Sequence, residues 1–341
     1  MQYQKLTLDQ IPQAREMYPY ITSRTCDYTV GGMFMWRNFY HMEYALENEA
    51  FYTRLTDDGS HYCYSLPVAK DIRAAIRYII EREIPQADMR NPLFGQVSSE
   101  EVVRSVSEQI LTMNLVADKE EKIDWKASAN LCFSTVPFDC LPYFIELADE
   151  LPIRLVTNLQ TDYFDYLYRA EDLVNLVGRK YSGQRNQIKQ FEKNYPNWHF
   201  EELTAERLED VRSFFGINTE ITDERNSRNE ENLMVQDVLD HMDVYRMIGG
   251  ILYVGTQVVG FSLAEIKGDT IFQHIEKADR EFKGCNQMLT NQFAKHFVTE
   301  DIRYINREED MGDPGLRRAK EAWGPVDLLK KYVVEVIPYA D

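Results

Sequence analysis

The stretch Phe272-Gln-His-Ile-Glu-Lys-Ala-Asp-Arg-Glu-Phe-Lys-Gly-Cys-Asn-Gln-Met-Leu289 decides how the chain is read. It predicts a strand ending near Lys277, a loop holding Arg280, Lys283 and Gly284, and a helix whose Met288, Leu289, Phe293, Ala294 and Phe297 fall on one face. Unpaired amides at a helix start beside two cations can hold a pyrophosphate or phosphodiester, so Arg280, Lys283, Gly284 and Asn286 are candidate contacts for a phosphate-bearing carrier. A β-loop-α junction with a glycine is also plain architecture, and that alternative stays open. His274 and Glu276 are two apart on the strand, so the pleat predicts a shared face with His274 as proton acceptor and Glu276 as its orienting partner. A purely structural histidine is the other reading.

Outward from this stretch, residues 198–203 predict a strand, 205–217 and 231–242 helices, and 247–265 a hairpin. After the strand at 270–277 come a helix at 286–298, a strand at 303–307, a helix at 315–323 and a strand at 332–336. Two helices, a meander and β-loop-α-β-α-β form a specific order. The N-terminal half predicts helices at 8–18, 28–39, 71–82, 99–113 and 138–150. It predicts β structure at 44–55, 62–66, 130–136 and 153–158, with an Asp57-Asp58-Gly59 turn. This alternation implies mixed α/β layers. No Pro/Gly/Ser linker marks a boundary, and the change of pattern places it near Asp172, giving domains 1–172 and 173–341.

Two further stretches carry chemistry. Residues 178–193 hold five cations against one carboxylate. If Ser182 onward is helical, Arg185, Lys189 and Lys193 share one side, and Ile188, Phe191 and Tyr195 form an apolar stripe beside them. This segment at the junction is a candidate phosphate site, or else a solvated helix face whose charges pair with nearby acids. In residues 303–325 a strand runs into a dense polar loop, after which Asp313-Pro314 opens a helix with Leu316, Ala319 and Trp323 on its buried side. Asn306, Glu308 and Asp310 alternate and predict a common face of acceptors for a substrate ammonium; a solvated turn with capping acids is the alternative.

Composition bounds the rest. A chain of 341 residues, 44% hydrophobic and 28% charged, suits two globular domains. The five cysteines are scattered with no Cys-x-x-Cys pair, which predicts a reducing, cytoplasmic setting without a disulfide framework or structural metal. The N-terminus has no signal-peptide pattern, and no apolar run is long enough for a membrane helix. The net charge of −18 repels polyanions, so a tRNA would need a local basic patch.

Taken together, Gly178-Arg-Lys-Tyr with Arg185-Asn-Gln-Ile, then Glu276-Lys-Ala with Gly284, then Ile305-Asn-Arg-Glu-Glu-Asp-Met-Gly with Gly315-Leu-Arg and Ala319-Lys320 resemble the soluble relatives of the phosphatidylglycerol lysyltransferase C-terminal domain. The likeness covers residues 165–332, and residues 28–40, with Trp36-Arg37-Asn38, are similar to the family's N-terminal part. It implies an α+β fold of two tandem acetyltransferase-like (GNAT-like) domains, each a mixed, mostly antiparallel sheet flanked by helices. Peptidoglycan-bridge aminoacyltransferases share that arrangement, and membrane-bound members move an aminoacyl group from tRNA to a lipid headgroup. By the same resemblance Arg179, Lys180, Arg185 and Asn186, beside Lys189, form the basic site, and residues 306–310 the acidic substrate loop. The expected function is transfer of an activated acyl group from aminoacyl-tRNA or acyl-coenzyme A, as co-substrate and with no obligatory cofactor, to an amine or hydroxyl. The alternative is a silent module that binds an aminoacylated or phosphorylated ligand. Cys285 has no partner constellation in the sequence and reads as a packing residue.

Overall fold

The computed structural model describes residues 1–56, 62–84, 130–217 and 227–338. The expected turn at 57–59 and helix at 99–113 lie outside them. The chain forms two compact units that exchange segments. The first comprises Met1–Ser23, Tyr40–Thr161 and Lys330–Asp341, and the second Arg24–Phe39 and Asp162–Leu329. A single cut at Asp172 therefore does not describe the chain. Local pattern says that a segment is a strand or helix, but not which sheet it joins.

Among the described residues, the first unit has an eight-stranded sheet. Its path runs Gln4–Lys5, Glu43–Glu47, Ala50–Leu55, Cys63–Tyr64, Leu131–Pro137, Lys331–Pro338 and Ile153–Leu159, with Val68–Ala69 paired beside Ala50–Leu55. The β stretch expected at 44–55 is a hairpin closed by Asn48 and Glu49, at φ 50° and 57°. Two consecutive left-handed residues match the right-handed twist of the strands they join. Helix Ile72–Glu83 begins where Asp71 accepts the Ala74 N–H, and it buries Ile72, Ala75, Ile76, Ile79 and Ile80. The C-terminal strand Lys331–Pro338 lies between Leu131–Pro137 and Ile153–Leu159, antiparallel to both.

In the second unit the elements are α1 (Val30–Phe34), β1 (Asp165–Arg169), α2 (Ala170–Asn175), α3 (Ser182–Asn194), β2 (Trp198–Glu202), α4 (Leu208–Ile217), α5 (Ser227–Asp240), α6 (Met242–Tyr245), β3 (Ile248–Val254), β4 (Gln257–Lys267), β5 (Thr270–Ala278), α7 (Cys285–Phe297), β6 (Tyr304–Asn306), α8 (Pro314–Glu321) and β7 (Asp327–Leu329). The sheet order is β7-β1-β6-β5-β4-β3-β2. Among the described residues of this sheet, only β5 and β6 pair in parallel. From β2 the chain follows the predicted order of strand, helices, meander, helix and strand, with the short α6 added before the meander. With two mostly antiparallel sheets flanked by helices, the fold is of the α+β class that the resemblance implies.

One face of this sheet packs Leu252, Val259, Ala264 and Ile271 against Met288, Leu289 and Phe293 of α7 and Ile188 and Phe191 of α3. Helical spacing on α7 and α3 therefore reads correctly as core. The expected burial of Leu316 and Ala319 on α8 is corrected, because both are exposed and only Trp323 is buried. On α8 it is Arg317 and Lys320 that point inward, drawn by the acidic and carbonyl-rich loop before the helix. The expected helix at 28–39 shortens to α1, whose Thr29 caps the Gly32 N–H.

Candidate functional site

The second unit has a seam between its parallel strands. Thr270, Ile271 and Phe272 pair with Tyr304, Ile305 and Asn306, after which β5 runs on to Ala278 while the other chain leaves as a loop. Just past the parting, Gln273 pairs with Ala264 and Ile275 with Leu263, so His274 is the extra residue of a β-bulge. The bulge sends His274 to the face of Glu265 and leaves Gln273 and Glu276 on the opposite face with Ser262. The shared face expected for His274 and Glu276 is thereby overturned.

His274 is fully buried between two carboxylates, with Nε2 2.8 Å from Glu265 Oε1 and Nδ1 2.6 Å from Glu308 Oε1. Burial opposes its charge, yet hydrogen bonds and attraction from Glu265 and Glu308 outweigh that and raise it to about 10. Burial likewise pushes Glu265 up, but His274 and the Gly31 N–H hold it below the ordinary carboxylate value. An imidazolium donating from both nitrogens cannot accept a proton, which corrects the expected role of His274 as base. Gly31 donates to Glu265 Oε1 at 2.5 Å, and a Cβ at position 31 would lie 2.5 Å from His274 Nε2. Only glycine permits this approach.

On the other face, Glu276 Oε1 accepts from Arg307 Nη2 at 3.0 Å, and its Oε2 accepts from Gln273 and Thr290 at 2.8 and 2.9 Å. The Arg307 guanidinium lies 5.9 and 5.6 Å from the rings of Tyr168 and Trp323. The seam thus carries one charged cluster on each side of β5.

The predicted common face of Asn306, Glu308 and Asp310 is also corrected. The strand stops at Asn306, and Glu308 and Met311 adopt left-handed backbone at φ 58° and 52°. The Asn306 amide donates to Arg24 O and Asp165 Oδ2 at 2.7 and 2.8 Å, Glu308 binds His274, and Asp310 receives both Arg317 Nε and Nη2 at 2.8 Å and Tyr166 Oη at 2.6 Å. Burial pushes Asp310 up, but the bonds from Arg317 and Tyr166 prevail and hold it at about 2. Lys320, half-buried and lowered by desolvation of its ammonium, donates to the carbonyls of Arg307 and Glu309. These acids bind the protein's own cations and amides, so they do not form an open ammonium cradle.

The phosphate candidates divide. Arg185 donates to the carbonyls of Leu176 and Gly178, closing the end of α2, and Lys180 pairs with Asp172 at 3.1 Å. Arg179, Asn186, Lys189, Arg280, Lys283 and Asn286 are exposed. Gly284 has φ 87°, and a Cβ there would lie 2.5 Å from Gln187 O. Its lack of a side chain therefore serves the packing of α7 against α3, a correction to its expected role of admitting phosphate.

Ligand-type atoms of Cys26, Asp27 and Asp165 lie within 4.8 Å of one another. Asp165 Oδ2 already accepts from the Cys26 N–H at 2.6 Å and from Asn306 at 2.8 Å, so hydrogen bonds account for the arrangement. Glu265, Asp165, Gly31 and Arg317 are the residues that sequence reasoning passed over. Glu265 in an apolar strand and the Gly31-Gly32 pair were the available signals.

Residues 126–335 match the family described as phosphatidylglycerol lysyltransferase, C-terminal. The chain belongs to that family. It is 25% identical to a conserved protein of unknown function from Bacteroides thetaiotaomicron, with a TM-score of 0.74 over 98% of this chain and 99% of that one. The C-terminal domain of a putative lysylphosphatidylglycerol synthetase from Agrobacterium fabrum shares the fold, with a TM-score of 0.58 at 11% identity over 96% and 91% of the two chains. An uncharacterised protein of Mycoplasmoides gallisepticum is 21% identical over 175 residues, 51% of this chain and 56% of that protein, so the match spans little more than half of the relative. Membership in the lysyltransferase family, with this fold, supports a general transferase role. Among the described residues, no helix is long and apolar enough to cross a membrane.

Proposed function

We propose that the protein transfers an activated acyl or aminoacyl group, carried by aminoacyl-tRNA or acyl-coenzyme A, to an amine or hydroxyl acceptor. The observation that carries this reading is the parting of β5 from β6 after three residue pairs, with Arg307 and Glu276 on one side and His274 and Glu308 on the other. Parted strands leave backbone N–H groups facing the gap, and donors held in place there stabilise a developing oxyanion without reorganisation. The acceptor's nitrogen or oxygen bonds to the acyl carbon, the carrier leaves with the electron pair, and the acceptor's proton passes to solvent or the departing carrier. The exposed cations Arg179, Lys189, Arg280 and Lys283 are assigned to the carrier's phosphates.

The test is mass spectrometry of ligands that co-purify with the full chain, followed by incubation with labelled aminoacyl-tRNA or acetyl-coenzyme A and an amine. Acyl product that depends on the protein supports the reading. Retention of a ligand with no turnover favours the alternative of a binding module, for which the observation is that His274 is already committed to two carboxylates and offers no base. Binding of neither carrier sinks both.

A further inference from the structure

Where β6 ends, Arg307 is the first residue of the departing chain, and its guanidinium reaches back across the seam to β5, Nη2 donating to Glu276 Oε1 at 3.0 Å. The same Nη2 lies 3.3 Å from Thr290 Oγ1 of α7. Glu276 Oε2 is taken as well, by Gln273 and Thr290, and Gln273 also donates to Ser262 Oγ at 2.8 Å. Among the described residues, Arg307 Nη1 is the one buried side-chain polar atom of this cluster that meets no hydrogen-bond partner. A buried donor left without an acceptor is costly, the more so on a charged group, and folded proteins keep few of them.

The surroundings say what this donor can take. The rings of Trp323 and Tyr168, 5.6 and 5.9 Å from the guanidinium carbon, stand at the outer edge of the cation–π range of about 6 Å, so they wall the group without accepting its hydrogen. The cluster is not sealed, because the side chains of Arg307 and Glu276 keep 11% and 14% of their exposure. A guanidinium is a rigid planar fork, so fixing Nη2 on Glu276 and Thr290 also fixes Nη1 beside the seam in advance of any ligand. Glu276 offsets the Arg307 charge and repels a second anion, which leaves Nη1 suited to the oxygen of a neutral carbonyl that gains charge only when attacked. On the opposite face His274 offers no such donor, since both its nitrogens are committed to carboxylates.

We infer that Arg307 is a catalytic residue whose Nη1 donates to the carbonyl oxygen of the acyl group being transferred. The assignment rests on the transferase reading and deepens it by naming the side-chain donor that works alongside the backbone. As the acceptor's nitrogen or oxygen bonds to the carbonyl carbon, the C=O π pair moves onto the oxygen that faces Nη1. That pair returns as the bond to the carrier breaks, and the carrier leaves with the electrons of the broken bond. Arg307 stays protonated throughout. Glu276 and Thr290 are positioning residues that hold its fork in place.

The test is isotope-edited infrared difference spectroscopy of the full chain with two probes, acetyl-coenzyme A and a stable alanyl-amide analogue of aminoacyl-adenosine, each labelled with carbon-13 at the carbonyl. The bound carbonyl band is expected at lower wavenumber than the free one. Arg307→Lys keeps a cation for Glu276 but lacks the second nitrogen of the fork. In that variant the probe should still bind while the band returns to its free position, and turnover should fall about 10²-fold with KM little changed. Should Arg307→Lys fold poorly, rotational-echo NMR between the probe's labelled carbonyl and nitrogen-15 guanidino groups in the wild-type chain reads the same contact. A bound probe whose band is identical in the two proteins, or whose carbonyl shows no dephasing by arginine nitrogen, overturns the Arg307 assignment and leaves the transferase reading standing. Failure of both probes to bind overturns the two together.

Discussion

His274 Nδ1 lies 2.6 Å from Glu308 Oε1, which joins the bulge of β5 to a loop residue thirty-four positions later in the chain. With Glu265 on its other nitrogen, the imidazolium connects β4, β5 and the loop after β6, and Gly31 adds the N-terminal segment. The charge balance of this group governs several expected behaviours.

Raising the pH should weaken the fold through His274. Its folded value of about 10 lies above the ordinary 6.5, so its contribution is complete below about 6.5 and is lost as pH climbs through about 10. Urea denaturation at pH 7 and pH 10 should show a fall of a few kcal/mol that is much smaller in His274→Gln. An equal slope in both proteins would show that the buried histidine is neutral.

Gly31→Ala should destabilise by about 1–3 kcal/mol or more, because the methyl would sit 2.5 Å from His274 Nε2 and 2.7 Å from Glu265 Oε1. Gly183→Ala, with no atom within 4 Å of its Cβ position, should be neutral or slightly stabilising by removing a helical glycine. The shift in urea midpoint reads both.

Asp310 makes the opposite prediction at acid pH. Held at about 2 against an ordinary 3.8, it contributes about 2 kcal/mol that is present above roughly pH 4 and lost as pH falls toward 2. Asp310→Asn should flatten stability over that window. Arg317→Lys, which cannot span both carboxylate oxygens, should give part of the same loss. Thermal melts from pH 5 to pH 2.5 measure it.

The basic helix should separate into structural and surface cations. Arg185→Ala leaves two carbonyls at the end of α2 without their donor and should cost about 1–2 kcal/mol. Lys189→Ala should stay within about 0.5 kcal/mol yet weaken binding of a phosphate-bearing carrier and reduce its salt dependence. If both variants melt alike, Arg185 is not a helix-end donor.

Much of the fold was legible because burial imposes a period. Met288, Leu289, Phe293 and Ala294 announced α7, and the spacing through Ile72, Ala75, Ile76 and Ile79 announced the first unit's longest described helix. Strand β1 and the short β7 were not foreseen, since a strand of three to five residues leaves too few alternations to register.

The site was legible as a set of stretches, not as an arrangement. From residue types alone, His274 and Glu276 were marked on a strand, Asn306, Glu308 and Asp310 as a polar concentration at a strand's end, and basic residues 178–193 as an amphipathic helix. Only the tertiary structure decided that one extra residue in β5 turns His274 away from Glu276, that Arg185 closes a helix end, and that Gly284 yields to Gln187. Periodicity is a property of a single segment and survives in its sequence. The partner of a charge depends on which segments the fold brings within hydrogen-bond reach, and for His274 that partner came from a loop whose backbone no strand pattern describes.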